Sequence, residues 1–280
     1  MRLLKTRLSN LTQPWHLAGM VLLYAASWGA HADDCAPVKI DTWIKASFAL
    51  SGDTLIIQNR PFRLIGVQAP QIKKERKFTT PGQPLADESQ TKLNQLLANH
   101  NLEVGVEYDE LRIDDFSRNL AHFYIKQKDQ IVSLQKLMLE SGLVLANSEP
   151  PNMKHQACYY QAEKNARDRK IALWSVAEKR PDLHYPIAPS SKITTEDEGF
   201  RIFKGEIVKV EKSGSNYILN MDTTGIRVRK ADWEHFNYDA LKRLQGQVIE
   251  ARGYGFLYGG AMFVKIRSPN AIDRLNPVNE

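Results

Sequence analysis

Three short β-rich runs follow one another almost without a gap: Thr42 to Leu50, Thr54 to Gln58 and Pro61 to Val67. Ser51-Gly52-Asp53 separates the first pair and Asn59-Arg60 makes a tight turn between the second. The three runs read as consecutive strands. The constraint is strong: a chain that starts this way builds a β-sheet first and packs helices on it afterwards. The helices are legible further on. Leu85, Ser89, Leu93, Leu96 and Leu97 keep helical spacing, Ile131 to Ser141 reads as a helix ended by Gly142, and His155 to Leu173 as a last helix before Trp174. Leu102 to Tyr108 and Asn119 to Lys126 read as two more strands. Residues 72–84, with Lys73, Lys74, Arg76, Lys77, Thr79, Thr80 and Pro81, form a polar loop, and Pro150-Pro151-Asn152 breaks the chain before the last helix. The fold class is a β-rich α+β domain.

Particular residues sit on this frame in a telling order. Ser51-Gly52-Asp53-Thr54 opens a strand; Phe62-Arg63-Leu64-Ile65-Gly66-Val67 runs into Gln68-Ala69-Pro70-Gln71; Asp114-Asp115-Phe116-Ser117-Arg118-Asn119-Leu120-Ala121 follows about fifty residues later. This order resembles the thermonuclease, or staphylococcal-nuclease-like, family, whose pattern reads DGDT, then FRL with carboxylates around a proline, then D-x-x-G-R-x-L-A. The segment AEKNARDRKIALW, residues 162–174, is similar to the family's final helix and tryptophan. The resemblance covers residues 38–175. It implies an OB-fold barrel with helices packed on it, and the chemistry of a nuclease.

Phosphodiester hydrolysis needs a base to activate water, cations to neutralise the phosphoryl oxygens, and in-line positioning. The resemblance places the family's two catalytic arginines at Arg63 and Arg118. A guanidinium suits that task because it grips two phosphate oxygens at fixed geometry. Asp114 is implied as the residue orienting Arg118. The departures are as informative. The general-base glutamate falls on Gln71, whose amide cannot take a proton, and loss of such a base costs ~10²–10⁴ in rate. Calcium is the implied cofactor, held at Asp53, Gln68 and the Ala69 carbonyl. Calcium prefers several anionic oxygens, and Gln68 and Ser51 stand where the family has aspartates. Asp53 therefore reads as a metal ligand or as a hairpin-capping residue. His122 shares a strand face with Arg118 and offers a base, or is a half-buried structural histidine. Phe116 keeps part of an aromatic stack beside Arg118, while Asp115 replaces a lysine.

Beyond residue 175 the composition changes. Residues 176–198 carry Pro181, Pro186, Pro189, Ser190, Ser191 and Glu196-Asp197-Glu198 and read as a linker. Residues 199–280 follow as a second unit. Strands are expected at Phe203 to Val210, Tyr217 to Met221, Ile226 to Arg229, Gly246 to Tyr254 and Ala261 to Arg267, with a helical crossing at Trp233 to Leu244. Five short strands with one helix after the third suggest a small OB-like barrel. Arg227 with Arg229, and Lys265 with Arg267, each share a strand face, and Tyr217, Tyr254, Phe256 and Tyr258 supply rings, a composition that suits single-stranded nucleic acid. The alternative is a solvated face over an ordinary aromatic core, which the small excess of 13 basic against 9 acidic side chains from residue 200 on slightly favours.

Residues 1–32 read as a secretory leader: Arg2, Lys5 and Arg7, an apolar run from Leu17 to Trp28, then Ala30-His31-Ala32. The run is short of the ~20 residues of a membrane span, so the mature chain is expected to start near Asp33 with no span, in the periplasm or secreted. The leader holds three bases and no acid, half of the net charge of +6. Cys35 and Cys158 are the two cysteines. In an oxidising compartment they read as one disulfide, or as two unrelated thiols. The functional readings are three: an exported thermonuclease-like protein binding nucleic acid or phosphodiesters with weak or no hydrolysis; an active calcium-dependent phosphodiesterase using Gln71 to place water; and an envelope interaction module that is no enzyme.

Overall fold

Residues Thr42–Lys45 (β1), Phe48–Ser51 (β2), Thr54–Ile57 (β3), Arg60–Leu64 (β4) and Gly66–Gln68 (β5) open the fold. A computed structural model describes residues 35–75, 79–80 and 82–274; the leader and Arg76, Lys77 and Pro81 of the polar loop lie outside the described residues. Two expected strands are each cut in two. Thr42 to Leu50 breaks at Ala46-Ser47, and Pro61 to Val67 breaks at Ile65. The breaks let one run serve two sides of a curved sheet: β1 pairs with a later strand, β2 with β3. Gly66 has φ +83°, and a Cβ there would sit 2.5 Å from the Tyr159 ring, so only glycine permits the bend. Positive φ falls on Gln58 and Asn59, so the turn lies one residue earlier than expected.

Lys74–Glu75 (β6) and Thr79–Thr80 (β7) form a small hairpin within the polar loop. Ala86–Ala98 (α1) follows, burying Ala86, Ser89, Leu93, Leu96 and Leu97, the stripe that its spacing predicts. A Cβ on Gly52 would collide with Ser89, so that turn too requires glycine. Then come Glu103–Glu107 (β8), Asn119–Gln127 (β9), Gln130–Ser133 (β10), Leu134–Glu140 (α2), Leu145–Asn147 (β11), Gln156–Asp168 (α3) and Leu173–Lys179 (α4). Ile131 to Ser133 is thus strand, not helix: Ser133 caps α2 by accepting from the Lys136 N–H. The sheet order is β1-β8-β9-β4-β3-β2 with β10 beside β9, and β4 runs parallel to β9. That parallel pairing sets Arg63 opposite Leu120 and so brings the two arginine-bearing strands side by side. Leu55, Leu64, Leu93, Leu97, Phe123 and Leu134 are fully buried between this barrel and the helices. Truncating any of these leucines to alanine would cost ~2–5 kcal/mol. Cys35 and Cys158 form a disulfide with Cα atoms 5.6 Å apart, tying residue 35 to α3.

Residues 176–198 contain three 3₁₀ turns and Ile187–Pro189 (β12), which pairs parallel with Gly199–Glu206 (β13). Next are Lys209–Ser213 (β14), Asn216–Asn220 (β15), Thr224–Arg229 (β16), Tyr238–Lys242 (α5), Val248–Tyr258 (β17), Ala261–Lys265 (β18) and Ile272–Arg274 (β19). The run expected from Phe203 to Val210 is two strands parted at Ile207-Val208. The sheet follows β12-β13-β17-β18-β16-β15-β14 with β19 beside β17: barrel-like in its curl, open in its order. It has its own core of Phe203, Ile226, Val228, Ile249 and Val264.

All described residues lie in one compact unit. Leu145 from β11 and Ala166, Leu173 and Trp174 from α3 and α4 meet Tyr185, Phe200 and Ile202 from the second part. Beside this seam lies a buried ion cluster. Arg252 donates to Glu163 (2.6 Å), to the Ala146 carbonyl (2.9 Å) and to Asp273 (2.8 Å), while Arg167 makes a two-pronged bridge to Glu250 at 2.7 and 2.8 Å. Buried charges persist only when paired and hydrogen-bonded, so these contacts fix how the two sheets meet. No helix among the described residues is long and apolar enough to cross a membrane.

Candidate phosphodiester site

The turn after β2 delivers Asp53 into the barrel mouth, 4 % exposed. Its Oδ1 accepts from Ser51 Oγ (2.8 Å) and Thr54 Oγ1 (3.0 Å); its Oδ2 accepts from Arg63 Nη1 (2.7 Å) and the Ala69 N–H (3.0 Å). Burial by itself would raise the Asp53 pKa, but the Arg63 charge and these donors outweigh it and hold the carboxyl below its ordinary range. Arg63, on β4, spends its other end on the Val67 carbonyl (3.0 Å) and Gln68 Oε1 (2.7 Å). Removing one partner of such a buried pair costs ~3–5 kcal/mol. Of the residues that the sequence assigned here, Asp53, Arg63 and Gln68 thus meet in one closed hydrogen-bonded knot.

Arg118 is placed differently. Asp114 Oδ1 accepts from the backbone N–H groups of Phe116 and Arg118, both at 2.9 Å, and so shapes the turn before β9. Its Oδ2 takes the Arg118 Nε and Nη2, each at 2.7 Å. Burial opposes ionisation of Asp114, but the Arg118 N–H, the guanidinium and the Phe116 N–H prevail and keep its pKa low. The Arg118 side chain remains 29 % exposed and lies over the exposed Phe116 ring, 5.4 Å from its centroid. One edge is held by Asp114, and Nη1 has no hydrogen-bond partner among the described residues, which leaves it for a phosphate oxygen.

Gln71 lies at the junction with the second part. Its N–H donates to Gln83 Oε1 (2.8 Å), and the Gln83 Nε2 reaches the Phe200 carbonyl (3.4 Å). A Cβ built on Gly199 would stand 3.9 Å from Gln71 Oε1. The amide therefore faces β13. Tyr254, on β17, closes the same flank: its hydroxyl donates to Gln68 Oε1 at 3.4 Å and its ring packs edge-on against Phe200. Burial raises the Tyr254 pKa; Arg63 and Arg118 both pull it down through charge, which places this phenol within the field of both arginines. Sequence reasoning had Tyr254 only as a ring of the second unit. Its position beside Gln68 depends on how the two sheets dock, for which no local signal exists.

Calcium requires several oxygens free to turn toward it. Here both Asp53 oxygens carry two donors each, Gln68 Oε1 is held by Arg63 and Tyr254, and the Ala69 carbonyl accepts from Gln68 Nε2 at 3.2 Å. The Arg63 guanidinium already neutralises Asp53 and holds Gln68 Oε1, so the residues present do not fit the ion. No cluster of three or more His, Cys, Asp or Glu side chains able to hold a metal occurs among the described residues. His122 is fully buried, with Nδ1 2.8 Å from the Tyr159 hydroxyl and Nε2 3.5 Å from Asp109. Its ring packs edge-on against His155, 5.1 Å between centroids, which in turn joins Glu107 and Tyr124 in a core polar network; buried there, His122 is out of reach of a ligand at Arg118.

The four cations singled out from the sequence on the second sheet divide into pairs. Arg267 donates to Asp232 at 3.0 Å and Arg229 lies 3.8 Å from the same carboxylate. Arg227 and Lys265 have no carboxylate within ion-pair distance among the described residues, and they stand opposite one another on β16 and β18.

A family profile described as Staphylococcal nuclease homologue matches residues 61–176. A thermonuclease of Staphylococcus intermedius is 33 % identical over 129 residues, which covers 45 % of this chain and 71 % of that protein. A thermonuclease of Staphylococcus hyicus is 30 % identical over 130 residues, covering 45 % and 72 %. The matched stretch holds β4, β9, Arg63, the Asp114–Arg118 turn and α3, the parts that build the barrel mouth. Likeness of this depth, over most of each relative, makes this chain a member of the staphylococcal nuclease family.

Proposed function

We propose that this protein holds nucleic acid or another phosphodiester at the barrel mouth through Arg118, and hydrolyses it weakly or not at all. One observation carries the reading: Arg63 is spent on Asp53 and Gln68, so the oxygens that would hold a metal already carry donors. Gln71 supplies no proton acceptor to replace a carboxylate. Arg118, braced by Asp114 and open on its outer edge, is left to meet a phosphate. The thermonuclease relatives support nucleic acid as the ligand class.

The test is a nuclease assay on the purified protein with and without calcium, beside oligonucleotide binding by fluorescence anisotropy. The expected result is binding that Arg118→Ala weakens, with no acceleration by calcium. Strong calcium-dependent cleavage would overturn it. Export to the periplasm or medium is part of the same proposal, supported by the leader-like residues 1–32 and the Cys35–Cys158 bridge. Intact-mass measurement should find a chain starting near Asp33 with no alkylatable thiol.

A further inference from the structure

The outer face of the second sheet carries a cluster that the barrel mouth does not use. Arg227 on β16, Lys265 on β18 and Tyr254 on β17 are successive partners across three adjacent strands, so their side chains share one face. The Arg227 guanidinium lies flat against Phe263, 3.5 Å from its centroid, with Tyr258 at 5.1 Å and Phe256 at 6.0 Å. Its Nε is buried and has no hydrogen-bond partner. Tyr258 and Tyr254 are 66 % and 51 % exposed. Burial depresses the Lys265 pKa, and the neighbouring charges of Arg229 and Arg267 depress it further. Arg227 and Lys265, with no carboxylate within ion-pair distance among the described residues, are complementary to a polyanion.

The row also has a direction. It ends at Tyr254, whose hydroxyl touches Gln68 in the first barrel and whose pKa feels Arg63 and Arg118. Glu149 acts electrostatically on Arg63 and on Lys265, and Asp232 also acts on Lys265.

We propose that the face formed by Arg227, Lys265, Tyr254, Tyr258 and Phe263 binds single-stranded nucleic acid and is continuous with the Arg118 site, so that one strand crosses both sheets. This rests on the phosphodiester reading above. Exposed rings stack on bases whatever their sequence, and cations track the backbone. A duplex hides its base faces and gains nothing from Tyr258.

The experiment measures anisotropy of labelled oligothymidylates of 4 and 16 nucleotides against the purified full chain, over a range of salt. The 16-mer should bind more tightly than the 4-mer. Tyr258→Ser with Lys265→Ala should weaken the 16-mer ~10–100-fold and flatten its salt slope by about 0.7. The 4-mer should stay unchanged, and Tyr258→Phe should keep wild-type affinity. Arg118→Ala should weaken both lengths. If the Tyr258/Lys265 variant binds the 16-mer like wild type while Arg118→Ala loses both, the track is refuted and the barrel site stands. If Arg118→Ala changes nothing while the track variant loses the 16-mer, the barrel site is refuted instead and the track binds alone. A 16-base-pair duplex that binds as tightly as the single strand would overturn the single-strand assignment. Polyglutamate that competes as well as oligothymidylate would overturn nucleic acid as the ligand.

Discussion

Arg63 and Arg227 are both strand arginines, and they have opposite fates. Arg63 is 14 % exposed in its side chain and donates to a carboxylate, a carbonyl and an amide oxygen. Arg227 lies on a ring at the surface with no carboxylate in reach among the described residues. The first is where family likeness puts the chemistry; the second lies outside the matched stretch. The difference shows that the presence of a cation and its availability to a ligand are separate facts. A guanidinium already neutralised by Asp53 adds little to a developing phosphoryl charge, whereas an unpaired one has its full charge to offer.

The largest effect expected from breaking this contrast is chemical. Gln71→Glu with Gln68→Asp restores the two missing carboxylates, and the one at position 68 competes with Asp53 for Arg63. Cleavage in calcium should rise by up to ~10²–10⁴-fold, and adding Arg63→Ala should abolish the gain. A folded double variant that stays inert would mean the closed knot, not the missing base alone, silences the site.

Stability is next. Arg252→Ala strands the buried Glu163 at the junction of the sheets, and should cost ~3–5 kcal/mol by urea denaturation. The same scale applies to Asp53→Ala, which leaves Arg63 buried without its counter-ion. Lys265→Ala, with no such partner, should fall within about 0.5 kcal/mol of wild type. Equal losses for Asp53→Ala and Lys265→Ala would erase the distinction between the inward and outward cations.

The smallest effect concerns pH. Burial lowers the His122 pKa, against the pull of Asp109 and Glu107. Its folded pKa lies below the unfolded value of about 6.5, so the unfolded chain takes up the proton first. This contribution is complete above pH 6.5 and is lost as pH falls toward the folded value. The Asp53 and Asp114 contributions begin to fail only lower, below the ordinary aspartate pKa of 3.8. Urea midpoints should therefore decline modestly from pH 6.5 to 5, and His122→Phe should flatten that decline. A midpoint that is level across this range in the wild type would remove His122 from the account.

Local pattern told the first half of this molecule well. Period-two runs gave β3 and β9, the leucine spacing gave α1, and motif order gave the family, because each is written in neighbouring residues. It failed where a strand must serve two partners. The bends at Ala46-Ser47 and Ile65-Gly66 follow from barrel closure and not from propensity, and Ile131 to Ser133 is strand because it forms a hairpin with β9. The two glutamines were visible as lost charge, but not the consequence that Arg63 would turn inward to occupy Asp53 and Gln68. Nor did residues 176–198 announce that β12 would pair with β13, or that Arg252 would reach Glu163 across 89 positions.

What the sequence determined by itself, then, is the inventory: which strands exist, which family they build, and which acids are missing. What only the tertiary structure decided is who partners whom. Contacts between residues far apart in the chain have no local signature, and a buried charge takes whichever counter-charge the packed fold brings to it. That is why Arg63, Tyr254 and Arg227 could be named from the chain, while their roles could be told apart only once the two sheets were docked.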